Sequence, residues 1–138
     1  MRNCLCIFLL MFSFISLASE VDIVDKFIEL SDATKVKGAT QKDIESVSKL
    51  LSDDMRYQHP NYNADLSKEQ FIEGLVLYMG TADSLSTKVT NRIIGDKAIT
   101  ISYISTMVMN GQTEEDPKPL MRLLEFSDGK IVLIREYW

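Results

Sequence analysis

Three side chains have types suited to proton and anion chemistry and sit among apolar neighbours: His59, Arg122 and Glu136. In Met55-Arg56-Tyr57-Gln58-His59-Pro60, alternation puts Met55, Tyr57 and His59 on one face of a short strand, with Arg56 and Gln58 on the other. Proline has no ladder donor, so Pro60 ends the strand. An imidazole titrates near neutrality, which suits a general base or a proton-linked hydrogen-bond donor, and His59 is the candidate catalytic residue. The alternative is a histidine stacked at a pocket rim and bonded to a backbone carbonyl. Arg122 shares its face with Leu120, Leu124 and Phe126. An arginine turned inward calls for a carboxylate, because a guanidinium is almost never buried without a partner. It would stabilise developing negative charge or hold an anionic ligand; the alternative is a purely structural ion pair.

Glu136 is the partner expected for Arg122, and the hairpin register decides their geometry. A two-residue Asp128-Gly129 loop pairs Phe126 with Ile131 and brings Arg122 beside Arg135. A three-residue loop with a bulged glycine pairs Phe126 with Lys130, so that Arg122 faces Ile134 with Glu136 as a diagonal neighbour. The second avoids two like charges side by side and is the expected register. Tyr57 and Trp138, with Tyr103 and Met107, are expected ligand-binding walls, although inward aromatics and methionines are also ordinary core.

These side chains need elements to hold them. Val24, Phe27, Ile28 and Ser31 form one helical stripe, followed by a polar linker from Asp32 to Ala39. Thr40 caps a second helix with apolar positions Ile44, Val47, Leu50 and Leu51, and Asp53 and Asp54 close it in solvent. Ser67 and Gln70 make a capping box for a third helix, which Gly80 stops. From Leu85 the period becomes two, with strands expected near 85–94, 97–109, 119–126 and 131–138. The turns fall at Gly95-Asp96, Asn110 to Lys118 and Ser127-Asp128-Gly129, and Glu114-Glu115-Asp116 reads as a solvated hairpin tip. Helices followed by a meander give an α+β fold, with three N-terminal helices packed on one face of a curved antiparallel β-sheet.

Composition narrows the function. The apolar run Cys4 to Leu17 after Arg2, with Ser16-Leu17-Ala18 behind it, reads as a signal peptide over residues 1–18. That leaves one domain over 19–138 and an exported, periplasmic or secreted protein. The run is too short for a bilayer span, so no membrane span is expected after signal removal. Cys4 and Cys6 leave with the signal, so the core alone must hold the domain. Without Arg2, 14 lysines and arginines face 20 acids, a formal charge of −6. An acidic domain without a basic cluster is a poor nucleic-acid or anionic-lipid binder. The single histidine and the lack of metal-ligand spacing or a glycine-rich phosphate loop give no metal and no cofactor.

Three motifs in order carry a resemblance across essentially all of the mature chain: Leu51-Ser52-Asp53-Asp54 leading to His59-Pro60, Gly95-Asp96-Lys97-Ala98, and Asp128-Gly129-Lys130-Ile131. Together they resemble the nuclear transport factor 2-like superfamily, with its SnoaL-like polyketide cyclases and ketosteroid isomerases. The resemblance implies a cone-shaped fold with a pocket between helices and concave sheet, often in a homodimer, and no single activity. It places His59 where the isomerases carry their general-base aspartate, and Arg122 where they carry the acid that binds the oxyanion. Phe27 falls where they carry an oxyanion-hole tyrosine. All three are exchanged, so steroid isomerisation is not expected. The expectation is a small-molecule ligand, anionic or carbonyl-containing and partly apolar. The chain would bind it, with proton transfer beside a carbonyl as the enzymatic form. The alternative is a non-catalytic binding or dimeric domain with a self-filled pocket. The homodimer would use the outer sheet face, at Thr100, Ser102, Ile104 and Val108.

Overall fold

The computed structural model of the protein describes the backbone of residues 11–138 and the side chains from Glu20 onward, so the signal expected over 1–18 lies outside the residues whose side chains are described. The chain runs α1 (Met11–Lys35), α2 (Gln41–Ser48), β1 (Leu51–His59), a 3-10 turn (Pro60–Tyr62), β2 (Ala64–Ser67) and α3 (Lys68–Leu77). It continues with β3 (Ser84–Gly95), β4 (Ala98–Met109), β5 (Gln112–Glu115), β6 (Leu120–Ser127) and β7 (Lys130–Tyr137). Among the described residues, no helix is long and apolar enough to cross a membrane.

The strands form one sheet in the order β2-β1-β7-β6-β4-β3, with β5 hydrogen-bonded to β4. Every pairing is antiparallel except β1 with β7, which is parallel. That pairing brings Tyr57 next to the strand that carries Glu136. The helices cover the concave face. Val24, Phe27 and Ile28 of α1 and Ile44 and Val47 of α2 pack with Ile99, Ile101, Leu124 and Ile134 in one buried cluster. Each such side chain contributes about 1.5–3 kcal/mol when withdrawn from water.

Both caps form as expected. Thr40 and Asp43 make a reciprocal box at α2, and Ser67 accepts from the Gln70 amide while the Gln70 side chain accepts from the Ser67 amide. Ser67→Ala is therefore expected to cost about 1 kcal/mol. Urea titration should show a lower midpoint with an unchanged slope.

Four expectations change. Asp32 does not open a linker: α1 continues to Lys35 and carries it as a helical residue. Asp53 and Asp54 do not end α2, which stops at Ser48; they lie in β1. The reason is pairing: Leu51 is buried opposite Ile131, whose amide donates to the Leu50 carbonyl at 2.9 Å. The segment from Asn110 to Lys118 is not one turn. Asn110 and Gly111, at φ 51° and 75°, make a tight turn into β5, which contains Glu114 and Glu115. Asp116 is not at a tip either, because its carboxylate accepts from the Ser105 amide at 2.7 Å.

The fourth change concerns the last hairpin. Its loop is Asp128-Gly129, at φ 51° and 69°, with Ser127 opposite Lys130 and Phe126 opposite Ile131. The three-residue loop does not form. The register then shifts between Phe126 and Glu125, so Glu125 faces Leu133 and Val132 is the extra residue of a bulge. The shift avoids the Arg122–Arg135 clash by sending Arg135 to Leu123 and setting Arg122 directly opposite Glu136.

Candidate functional site

Directly opposed on β6 and β7, Arg122 and Glu136 project into the cone, where their side chains are only 15% and 10% exposed. Arg122 Nε donates to Glu136 Oε1 at 2.5 Å. The second carboxylate oxygen accepts from the Tyr57 hydroxyl at 2.8 Å and from Trp138 Nε1 at 3.2 Å. Arg122 Nη2 donates to the Tyr103 hydroxyl at 3.4 Å, and the guanidinium carbon lies 4.8 Å from the Tyr103 ring centroid and 5.5 Å from that of Phe27. Five of the expected site residues or their direct neighbours thus meet around one ion pair: Tyr57, Tyr103, Arg122, Glu136 and Trp138.

Glu136 is drawn two ways. Burial pushes its carboxyl up, but the charge of Arg122 and the hydrogen bonds from Tyr57, Trp138 and Arg122 outweigh this and hold it below the usual carboxylate range. Burial works against the Arg122 charge too, and Glu136, helped by Tyr103 and Asp32, more than restores it. The Tyr57 hydroxyl is pushed well up, first by burial and then by the Glu136 charge, while Tyr103 is pushed up to about 12, chiefly by burial. At neutral pH the centre is therefore an ionised pair flanked by two protonated phenols. A guanidinium has five N–H donors. The hydrogen bonds formed among the described residues use Nε and Nη2, leaving donor capacity on the far edge of the fork.

His59 is 2% exposed and does not join this network directly. Its ring lies 4.3 Å from Trp138, edge to face at 86°, and 4.5 Å from Tyr62. Neither ring nitrogen has a hydrogen-bond partner among the described residues, so the rim carbonyl bond considered for it does not form. Trp138, which packs on His59 and donates to Glu136, links the two. Met107 stands on β4 between Leu85 and Glu114, with no polar contact to the ion pair.

Asp32 is the residue that sequence reasoning missed. Its carboxylate accepts from the Thr87 amide at 2.8 Å and from the Thr87 hydroxyl at 2.9 Å. Burial raises its pKa, against the pull of those bonds and of Arg122. The signal was present: Val24, Ile28 and Asp32 recur every four residues, on the buried stripe of α1. Two open grooves of about 550 and 460 Å³ lie on the surface; neither is lined by Arg122 or Glu136, and the second is lined by Asp32 and Thr87. Hydrogen bonding rather than concavity marks the Arg122–Glu136 centre as the candidate site.

No family model and no curated protein matches the sequence. Solved structures do match. An LEH-like epoxide hydrolase of Mycobacterium tuberculosis superposes with TM-score 0.69 at 16% identity, covering 88% of this chain and 84% of that one. A protein of ketosteroid isomerase-like fold from Catenulispora acidiphila, in complex with trimethylamine, gives 0.65 at 15% identity, covering 84% of each chain. A nuclear transport factor 2-like protein from Anabaena variabilis gives 0.67 at 13% identity, covering 86% of this chain and 88% of the other. These likenesses cover 84–88% of the chain, which has the cone-shaped α+β fold of the nuclear transport factor 2-like superfamily.

Proposed function

We propose that this is an exported small-molecule-binding domain whose ligand lies in the cone and presents a carbonyl oxygen to Arg122. The carrying observation is the guanidinium itself: buried, fixed by Glu136, and with donor edge to spare. A carbonyl oxygen accepts such donors without bringing charge. Of the two ligand chemistries expected, carboxylate and carbonyl, charge balance favours the carbonyl. Glu136 already neutralises Arg122, and Asp32 adds a second negative group within its influence. The apolar walls, Phe27 and the ring of Tyr103, suit a ligand with a hydrocarbon or aromatic body.

Proton transfer is the second reading. His59 would take a proton from carbon beside that carbonyl while Arg122 steadied the enolate. What supports it is the pair of unpartnered ring nitrogens in a buried position, since such groups ordinarily find a partner. The homodimer through Thr100, Ser102, Ile104 and Val108 stays part of the proposal, to be tested by light scattering at micromolar concentration.

Calorimetric titration with acetophenone and with benzoate tests the binding reading. A hydrogen bond to a charged donor is worth about 1.5–3 kcal/mol, so acetophenone should bind at least about tenfold more weakly to the double variant Arg122→Met/Glu136→Leu. Benzoate should bind the wild type more weakly than acetophenone. Equal acetophenone binding to both proteins would remove Arg122 from the site.

A further inference from the structure

Trp138 is placed as a ligand would be. It lies just past β7, about half exposed, yet its indole N–H donates to Glu136 Oε2 and its ring meets His59 and Tyr62. His59 beneath it is 98% withdrawn from solvent and has both ring nitrogens unpartnered. A buried imidazole without partners costs free energy that a native site ordinarily recovers through some hydrogen bond.

We propose that the space bounded by His59, Tyr62 and Glu136 Oε2 is an aromatic-donor subsite, filled in the free protein by Trp138, which a planar aromatic ligand carrying one O–H or N–H donor displaces. The indole supplies the chemical description of its replacement: a flat ring, an edge against His59, and one donor aimed at a carboxylate oxygen. A phenol, an indole or an aryl amine meets it. The inference rests on the proposed carbonyl site and extends it, since the same ligand would place a carbonyl toward Arg122 and a donor toward Glu136.

Displacement is easy on the Trp138 side. Its bond to Glu136 is long, at 3.2 Å, and its one other polar tether among the described residues is the Asn61 side-chain amide, which donates to the Trp138 carbonyl at 2.8 Å. Tyr62, on a single 3-10 turn, is 65% exposed, so this wall of the subsite borders solvent. Tyr57, by contrast, holds the same oxygen at 2.8 Å from inside the sheet and stays. When the indole leaves, Oε2 regains an acceptor site for the ligand's donor, and the ligand's ring takes the place of the indole against His59. An internal occupant of this kind lowers apparent affinity by the fraction of time the site is open.

The test compares 4-hydroxyacetophenone with acetophenone, on wild type and on Trp138→Ala. Calorimetry gives affinities, and the cross-peak of the sole indole N–H in the chain reports whether Trp138 leaves its carboxylate. We expect the wild type to prefer the hydroxylated ketone by about tenfold, one charge-assisted hydrogen bond's worth. The indole peak should move in step with saturation. Trp138→Ala should bind both ketones several-fold more tightly and keep the preference. If acetophenone binds but the hydroxyl adds nothing, or Trp138→Ala binds no better, the subsite is overturned while the carbonyl reading stands. If neither ketone binds either protein, both readings fall together.

Discussion

Glu136→Gln should lower the free energy of unfolding by about 3–5 kcal/mol, the usual consequence of removing one member of a buried ion pair. Exposed pairs give only about 0–1 kcal/mol, and the 15% and 10% exposure of these side chains sets them apart from that class. The loss comes from stranding: the glutamine still accepts from Tyr57 or Trp138, but Arg122 keeps its charge in a dry site. Replacing both members removes the stranded charge. Arg122→Met/Glu136→Leu should therefore be about as stable as wild type, or more stable. Acid titration gives an independent check. Glu136 has a lowered folded pKa, so its contribution is fully present above its unfolded pKa and is lost as pH falls through the folded value. Asp32 has the opposite sign: its raised folded pKa contributes stability at low pH that is lost as pH rises through that value. Glu136→Gln should flatten the acid loss and Asp32→Asn should remove the opposing slope. Denaturant melts from acid to neutral pH would show both, and a single variant Glu136→Gln as stable as wild type would place the pair in water.

Much of this architecture is written in local patterns. The Ser67–Gln70 box, the stripe of Val24, Phe27 and Ile28, and the alternation of Ile99, Ile101 and Tyr103 are short-range signals, and each element formed where its signal lay. The inward Arg122 and its acid partner were legible for the same reason, since one arginine among Leu120, Leu124 and Phe126 demands a counter-charge. What was not legible depends on distant pairing. Leu51 to Asp54 read as a helix end until the parallel partner β7 draws Leu51 into the sheet beside Ile131. β2 and β5 are short and partly or wholly exposed, so no burial pattern marks them. The bulge at Val132 leaves no residue signature, yet it alone puts Glu136, rather than Arg135, across from Arg122. His59 reads as an inward residue of β1 and is buried there, but the aromatic packing around it joins Tyr62, on the turn just after it, to Trp138, just past the paired strand β7, and that second contact has no local signal.

Phe27→Ala should be the other severe substitution, costing about 3–5 kcal/mol, the range for deleting a buried aromatic ring. Phe27 is 2% exposed and belongs to the cluster that joins α1 to the concave sheet. Its ring also lies 5.5 Å from the Arg122 guanidinium, a contact worth about 0.5–2 kcal/mol depending on desolvation. The two components can be separated. Arg122→Met/Glu136→Leu has no cation to lose, so adding Phe27→Ala to it should cost less than the same change in wild type, the difference being the coupling between ring and guanidinium. Leucine at position 27 should recover most of the packing and none of the coupling. Urea midpoints of the variants complete the cycle. A cost for Phe27→Ala below about 1 kcal/mol would mean that the ring is not clamped between helix and sheet. A full cost identical in both backgrounds would mean instead that Phe27 supports the cone by packing alone, and that Tyr103, at 4.8 Å, is the aromatic face that holds the arginine.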